Sequence, residues 1–143
     1  MRAIFLCNTK QNIERVYSKQ TQASIAELVE LDGEVYCGED ITVEPEKFAD
    51  VEIVFSSWGM PEFSEESIKR YLPKLKMVFY AAGSVQSFAR PYLVAGVGVV
   101  SAWAANAVPV AEFSVAQIIL ANKGYFRSSR LFRETRDFWN RDM

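Results

Sequence analysis

The sequence predicts an α/β fold in which helices cover both faces of a parallel, doubly wound sheet. Short apolar runs alternate with segments of helical spacing from the N-terminus to about Trp103. The run Met77–Ala82 is apolar without interruption, as is typical of a central strand buried on both faces. No internal repeat or low-complexity tract breaks the alternation. These observations favour a flavodoxin-like arrangement.

The composition is that of a soluble globular protein. Of 143 residues, 50% are apolar and 24% charged, and the net charge is −2. This charge gives no electrostatic reason to expect nucleic acid or an anionic membrane as a partner. No segment approaches the roughly 18 continuous apolar residues of a membrane span, and the first apolar run is too short for a signal peptide. We therefore expect a cytoplasmic location.

The chain contains two cysteines and no histidine. Cys7 and Cys37 are too far apart for a C-x-x-C redox pair, and without histidine they are too few for a zinc site. We expect both to be buried strand cysteines, and we predict no metal site. A general acid or base near neutral pH is most often histidine, so such chemistry would need a shifted carboxylate, lysine or tyrosine, or a residue outside this chain.

Three strands are predicted in the first part of the chain: Arg2–Cys7, Glu34–Cys37 and Val51–Ser57. Apolar residues at helical spacing between Ile13 and Leu31 predict one interrupted helix or two abutting helices. Asn12 is the expected N-cap, and Asp32-Gly33 the expected end. The acidic stretch from Glu39 to Glu46 has no repeated ligand spacing and is expected to be a solvated edge and loop.

The next part of the sequence, from Ser64 to Trp103, predicts a capped helix, the strand after Lys76, a short helical or turn segment and a further strand. Ser64 is expected to cap a helix that runs to about Tyr71, with glutamates in its first turn, and the helix ends before Pro73. A helical or turn segment spans Val85–Leu93, and β-branched residues predict a fifth strand over Val97–Trp103.

The character of the sequence changes after Trp103. Asn106–Lys123 is predicted to be a helix that is apolar on most sides and must therefore be covered on most sides. Gly124 is a plausible stop. Beyond it, arginines recur every third residue beside aromatic residues, which suggests that one face of this segment meets a partner or a missing domain. These residues are Arg127, Arg130, Arg133, Arg136, Phe126, Phe132, Phe138 and Trp139.

Two loops at predicted strand ends remain as candidate sites after the common motifs are excluded. Gly96-Val97-Gly98 lacks the third glycine of a dinucleotide fingerprint and precedes a strand, so it is predicted to be a turn. Ser56–Gly59 contains Trp58, which either packs on the domain or shapes a pocket. Ala82-Gly83-Ser84 is either a tight glycine turn or an anion site, because small residues let backbone N–H groups approach a ligand at this edge.

From Pro73 to Phe113 the sequence resembles a known family. Pro73–Ser84, Gly96–Val100 and the run Asn106–Phe113, with Val-Ala-Glu opening an apolar helix, resemble in order and spacing the N-terminal part of D-isomer-specific 2-hydroxyacid dehydrogenases. The resemblance implies a flavodoxin-like substrate domain over 1–104. It also implies that 105–143 begins a Rossmann domain for NAD or NADP, of which only a helix and an arm are present.

The resemblance also implies roles for six residues. The backbone N–H groups of Ala82 and Gly83 would bind a substrate carboxylate, Asn106 would face the substrate, and Trp58 would shape the pocket. Ala107 would lie near the nicotinamide, and Val110 could approach the same edge. A small 2-hydroxy or 2-oxo acid and a second copy of the chain are the implied partners.

The sequence also departs from the family. Val85 and Phe113 stand where the family commonly has aspartate and histidine, so a divergent subgroup is expected. The family's glycine fingerprint and its catalytic arginine, glutamate and histidine lie further along than Met143, so no catalytic residue is assigned here. The leading hypothesis is thus the N-terminal portion of an NAD(P)-dependent 2-hydroxyacid dehydrogenase, inactive alone. The alternative is a stand-alone flavodoxin-like binding or regulatory domain without catalysis.

Overall fold

A computed structural model describes residues 1–136. The chain divides into two compact units, Met1–Ala104 and Ala105–Met143. Phe138 and Trp139, expected from the sequence to contribute to a partner surface, lie outside the described residues.

The first unit contains a five-stranded sheet in which every neighbouring pair is parallel. The strands are β1 (Arg2–Leu6), β2 (Glu30–Tyr36), β3 (Val51–Ser56), β4 (Met77–Tyr80) and β5 (Gly98–Ser101). Their order is β2-β1-β3-β4-β5, the doubly wound order of flavodoxin-like folds. The predicted fold class is therefore confirmed.

Five helices and a short 3-10 helix connect the strands of this unit. They are α1 (Lys10–Val16), α2 (Lys19–Ala26), α3 (Gly38–Val43), the 3-10 helix Pro45–Phe48, α4 (Glu65–Tyr71) and α5 (Ala89–Val94). Two further helices follow: α6 (Trp103–Asn122) and α7 (Tyr125–Thr135).

Each face of the sheet has its own hydrophobic core. On one face, Phe5 and Cys7 of β1 pack with Ile13 and Tyr17 of the α1 region. On the other face, strand residues such as Ile4 and Val54 pack with large buried apolar residues from the covering helices. Those residues are Ile41, Phe48, Ile68 and Tyr92. Two separate cores explain why the strands read as continuous apolar runs rather than as alternating ones.

The segment between β1 and β2 differs from the sequence-based expectation in its boundaries. Two abutting helices are present, but Asn12 lies inside α1, where its Nδ2 donates to the Trp58 carbonyl at 2.5 Å. Ser18 caps α2 instead, accepting from the Thr21 N–H at 3.1 Å. Asp32-Gly33 does not end a helix: β2 starts at Glu30 and the β1–β2 register shifts between Ile4 and Phe5. Pairing with β1 has overridden the local turn signal.

Cys37 also differs from expectation. Cys7 is fully buried beyond the end of β1, as predicted, whereas Cys37 is only half-buried and serves as the N-cap of α3. Asp40 closes a capping box there by accepting the Cys37 N–H at 2.7 Å. This hydrogen bond lowers the pKa of the Asp40 carboxyl. The acidic stretch thus forms a helix start rather than a loop.

Helix α4 matches its predicted form. Ser64 accepts from the Ser67 N–H at 3.1 Å, and Glu65 and Glu66 occupy the first turn. The helix ends at Tyr71, before Pro73. Local capping chemistry was sufficient to locate both ends.

Helix α6 starts earlier than predicted and none of its residues is buried. Pro109 therefore lies inside the helix rather than near its start. The expectation that this apolar helix is covered on most sides is not met within the described residues. By length and composition alone, α6 is the one helix in this part of the chain that could cross a membrane. Gly124 follows with φ +72°, in agreement with its predicted role as a stop.

Candidate functional site

The loop that follows β4 lies at the carboxyl edge of the sheet, between the ends of β3 and β5. Tyr80 pairs with Ser56 on one side and with Ser101 on the other. The Ala81 N–H then donates to the Ser56 carbonyl at 2.8 Å, and the Ala102 N–H donates to the Tyr80 carbonyl at 3.0 Å. The loop is thus anchored on two strands where the ladder ends, which is where open α/β sheets bind ligands.

The N–H groups of this loop have no acceptor in the described part of the chain. No backbone hydrogen bond or side-chain contact uses the N–H of Ala82, Gly83 or Ser84. Ala82 is buried, Gly83 is half-buried and Ser84 is exposed. Unpaired N–H groups that face solvent can bind an anion, since each supplies a fixed donor.

Gly83 does not adopt a positive φ, unlike Gly59, Gly96 and Gly124. The turn interpretation, in which glycine is needed at this position for a left-handed backbone, is therefore not supported. The absence of a side chain remains useful here, because a ligand can approach the backbone closely.

Trp58 lies in the loop after β3, and this loop is fastened to the start of α1. The Trp58 carbonyl accepts from the Asn12 Nδ2 and from the Cys7 Sγ, the latter at 3.2 Å, and the Asn8 N–H donates to the Gly59 carbonyl at 2.8 Å. The Trp58 side chain is nonetheless 48% exposed. The backbone is held while the indole stays at the surface, where it is available to a ligand.

The hydrogen bonds between the loop after β3 and the start of α1 span the crevice between the ends of β1 and β3, where the strand order reverses. Flavin-type ligands occupy this crevice in flavodoxin-like folds. Here Asn8 and Gly59 bond directly across it. The open N–H groups lie one strand further along, on the loop after β4.

Three serines lie at the strand ends: Ser56 and Ser57 belong to the predicted loop Ser56–Gly59, whereas Ser101 was not identified from the sequence. Ser56 is fully buried and donates to the Leu6 carbonyl at 2.5 Å, whereas the buried Ser57 hydroxyl has no partner among the described residues. Ser101, the last residue of β5, places its Oγ 2.5 Å from the Gly83 carbonyl oxygen and 3.0 Å from that of Ala82. A polar residue closing an apolar strand is the signal that could have identified Ser101.

Asn106, Ala107 and Val110 belong to α6 and to the second unit. Asn106 and Val110 are four residues apart, so they share a face of the helix. Asn106 is half-buried, while Ala107 and Val110 are exposed. Trp58, Ala82 and Gly83 belong to the first unit.

Two titratable groups near the edge, Cys7 and Tyr17, have raised pKa values because they are buried. Burial raises the pKa of the Cys7 thiol, and backbone hydrogen bonds from Thr9 and Ser57 only partly oppose this. Burial likewise raises the pKa of the Tyr17 phenol, whose oxygen lies 3.2 Å from the Ser56 carbonyl. No cluster of three or more potential metal ligands occurs between residues 1 and 136.

The fold is similar to that of two solved chains, a dehydrogenase and a reductase. One is the NAD-dependent formate dehydrogenase of Staphylococcus aureus in complex with NAD, with TM-score 0.60 and 20% identity over 94% of this chain. The other is the pyruvate reductase of Chlamydomonas reinhardtii, with TM-score 0.55 and 16% identity over 99% of this chain. This chain spans only 41% and 40% of those two chains, respectively. At these identities the likeness concerns the fold.

No family model matches the sequence. No curated protein matches it significantly either.

Proposed function

We propose that this chain supplies the substrate-carboxylate loop of an NAD(P)-dependent 2-hydroxyacid dehydrogenase. The observation that carries the proposal is the loop Ala82-Gly83-Ser84, whose backbone N–H groups are unpaired at the carboxyl edge of a parallel sheet. The resemblance of Pro73–Phe113 to that family supports it, as does a fold shared with a formate dehydrogenase and a pyruvate reductase.

In this proposal the loop binds and orients the substrate, while the acid–base groups come from elsewhere in the whole protein. Two or three N–H donors fix a carboxylate without adding a titratable group. The half-exposed indole of Trp58 lies at the end of the neighbouring strand and would contact the side chain of the acid. By the family resemblance, Asn106 is proposed to face the substrate as well.

The residues present fit only one edge of a nicotinamide cofactor. Ala107 and Val110 are small or apolar and exposed, so a flat ring could pack on them. Gly96-Val97-Gly98 does not form a phosphate-binding loop, because Gly98 is the first residue of β5. Gly98 is needed for packing instead, since a Cβ there would lie 3.1 Å from the Met77 Cε. When bound, NAD or NADP would accept or supply the hydride. The rest of its site is expected in the remaining part of the dehydrogenase.

A titration of the isotope-labelled chain with pyruvate tests the proposal. Followed by amide NMR, the signals of the loop Ala82-Gly83-Ser84 are expected to shift with a dissociation constant on the order of millimolar, as befits part of a site. Pyruvamide, which lacks the carboxylate, is the matched control and should leave these signals in place. Shifts confined to other residues, or none, would contradict the proposed function and favour the stand-alone binding domain.

The proposal extends to the assembly and location of the protein. Second copies of the chain are proposed to cover the exposed apolar surface of α6, giving a homodimer. A cytoplasmic location, without nucleic acid or membrane as a partner, is proposed with it.

A further inference from the structure

We propose that Ser101 is a positioning residue, whose hydroxyl holds the loop after β4 in the conformation that binds the carboxylate. This inference rests on the proposed function and assigns a role that neither the family resemblance nor the sequence pattern indicated. Ser101 itself does not touch the substrate in this proposal.

The hydroxyl lies beside two successive carbonyl groups of the loop. The Ser101 Oγ is 2.5 Å from the Gly83 carbonyl oxygen and 3.0 Å from the Ala82 carbonyl oxygen. Its single proton can serve either one, and both carbonyls face β5. The Ser101 backbone is itself held in place, because Ser101 pairs with Tyr80 at the last position of the β4–β5 ladder.

The direction of the carbonyls determines the direction of the N–H groups. In a trans peptide the C=O and the N–H point in opposite directions, and no cis peptide occurs in the described residues. The Ala82 carbonyl shares its peptide plane with the Gly83 N–H, and the Gly83 carbonyl shares its plane with the Ser84 N–H. Both of these N–H groups therefore point away from Ser101.

These two N–H groups are also the ones that a ligand can reach. Ala82 is fully buried, whereas Gly83 is half-buried and Ser84 is exposed. None of the three N–H groups has an acceptor between residues 1 and 136. We therefore infer that the donor pair is Gly83 and Ser84, one residue later than the pair expected from the sequence.

Without the hydroxyl, the two peptide planes could rotate and the donor pair would no longer be preformed. Ser101→Ala in the full 143-residue chain is expected to weaken pyruvate binding about tenfold, which corresponds to the loss of one neutral hydrogen bond. Ser101→Thr keeps the hydroxyl and should retain wild-type affinity. Ser24→Ala, at an exposed serine of α2, is the control and should have no effect.

Amide NMR reads the Gly83 and Ser84 signals of each variant during the titration. A general loss of structure would move signals throughout the spectrum, whereas loss of positioning changes the loop signals and the affinity. If Ser101→Ala does not fold, Ser101→Cys, with a weak S–H donor, replaces it and should also bind more weakly.

The outcomes separate the two proposals. Wild-type binding at Gly83 and Ser84 that is equally strong in Ser101→Ala would overturn the role of Ser101 and leave the proposed function intact. Absence of binding in the wild type would overturn the proposed function itself.

Discussion

At the scale of single residues, the site depends on backbone positions more than on side-chain chemistry. Gly59 adopts φ +100°, and a Cβ there would lie 3.3 Å from the Cys7 Sγ. This glycine lets the chain turn back beneath Trp58 so that its carbonyl accepts from the Asn8 N–H at 2.8 Å. The Gly59 backbone therefore contributes to the position of Trp58, together with the Asn12 and Cys7 side chains that donate to the Trp58 carbonyl.

Gly59→Ala is expected to destabilise the protein by about 1–2 kcal/mol, because an L-residue is strained at this φ. Gly33→Ala is the matched control, since Gly33 is exposed and a Cβ there meets nothing within 4 Å. It should change stability by less than about 0.5 kcal/mol. Urea unfolding followed by circular dichroism measures both, and equal effects would contradict the role assigned to Gly59.

At the scale of elements, α6 is the longest helix among the described residues and has a largely apolar surface. It is 20 residues long, and its apolar side chains are exposed rather than buried. Phe113 is 65% exposed and Ile118 is 60% exposed. A surface of this kind favours association, because covering apolar area releases on the order of 25 cal/mol per Å².

The wild-type chain is therefore expected to self-associate as its concentration rises, and a variant with Val115→Lys and Ile118→Lys should remain monomeric. Both positions lie on one face of α6, three residues apart. Leu28→Lys, at a residue that is 82% exposed outside α6, is the control and should associate like the wild type.

Sedimentation velocity distinguishes the variants. A wild-type chain that stays monomeric at high concentration would refute the homodimer. Flotation with lipid vesicles is the companion measurement, because α6 also meets the length and composition of a membrane span. Co-flotation would show that lipid, rather than a second copy, covers the helix.

At the scale of the whole molecule, the chain contains the proposed substrate loop but none of the family's catalytic motifs that the sequence analysis names. It has no histidine and no G-x-G-x-x-G fingerprint. The one G-x-G precedes β5 and is led by Gly96, whose φ of +85° is that of a turn. The whole chain spans about 40% of the length of the similar dehydrogenase and reductase chains.

The purified 143-residue chain is expected to show no NAD- or NADP-dependent turnover of pyruvate or other 2-oxo acids, although we propose that it binds the carboxylate. Absorbance of the reduced nicotinamide at high protein concentration measures this. A full-length similar enzyme, assayed in parallel, verifies the conditions. Turnover above the buffer rate would show that the acid–base groups lie within this chain, contrary to the proposal.

Local chemistry was sufficient for the fold class and for several elements. The apolar runs predicted the strands because a parallel sheet with a core on each face needs apolar residues on both sides. Ser64 predicted the start of α4, since capping depends only on near neighbours along the chain. Gly83 and Trp58 could be located at strand ends because the apolar runs that precede them are visible in the sequence.

Features that depend on distant contacts were decided only by the tertiary structure. Asn12 and Asp32-Gly33 carry local cap and turn signals, but contact with Trp58 and pairing with β1 overrode them. Ser101 is 18 residues from Gly83 in the chain, and only the parallel pairing of β4 and β5 brings its hydroxyl to the loop. The sequence thus determined which segments form the edge of the sheet. The packing of the strands decided which N–H groups remain unpaired there, because hydrogen bonds between strands depend on register rather than on neighbouring residues.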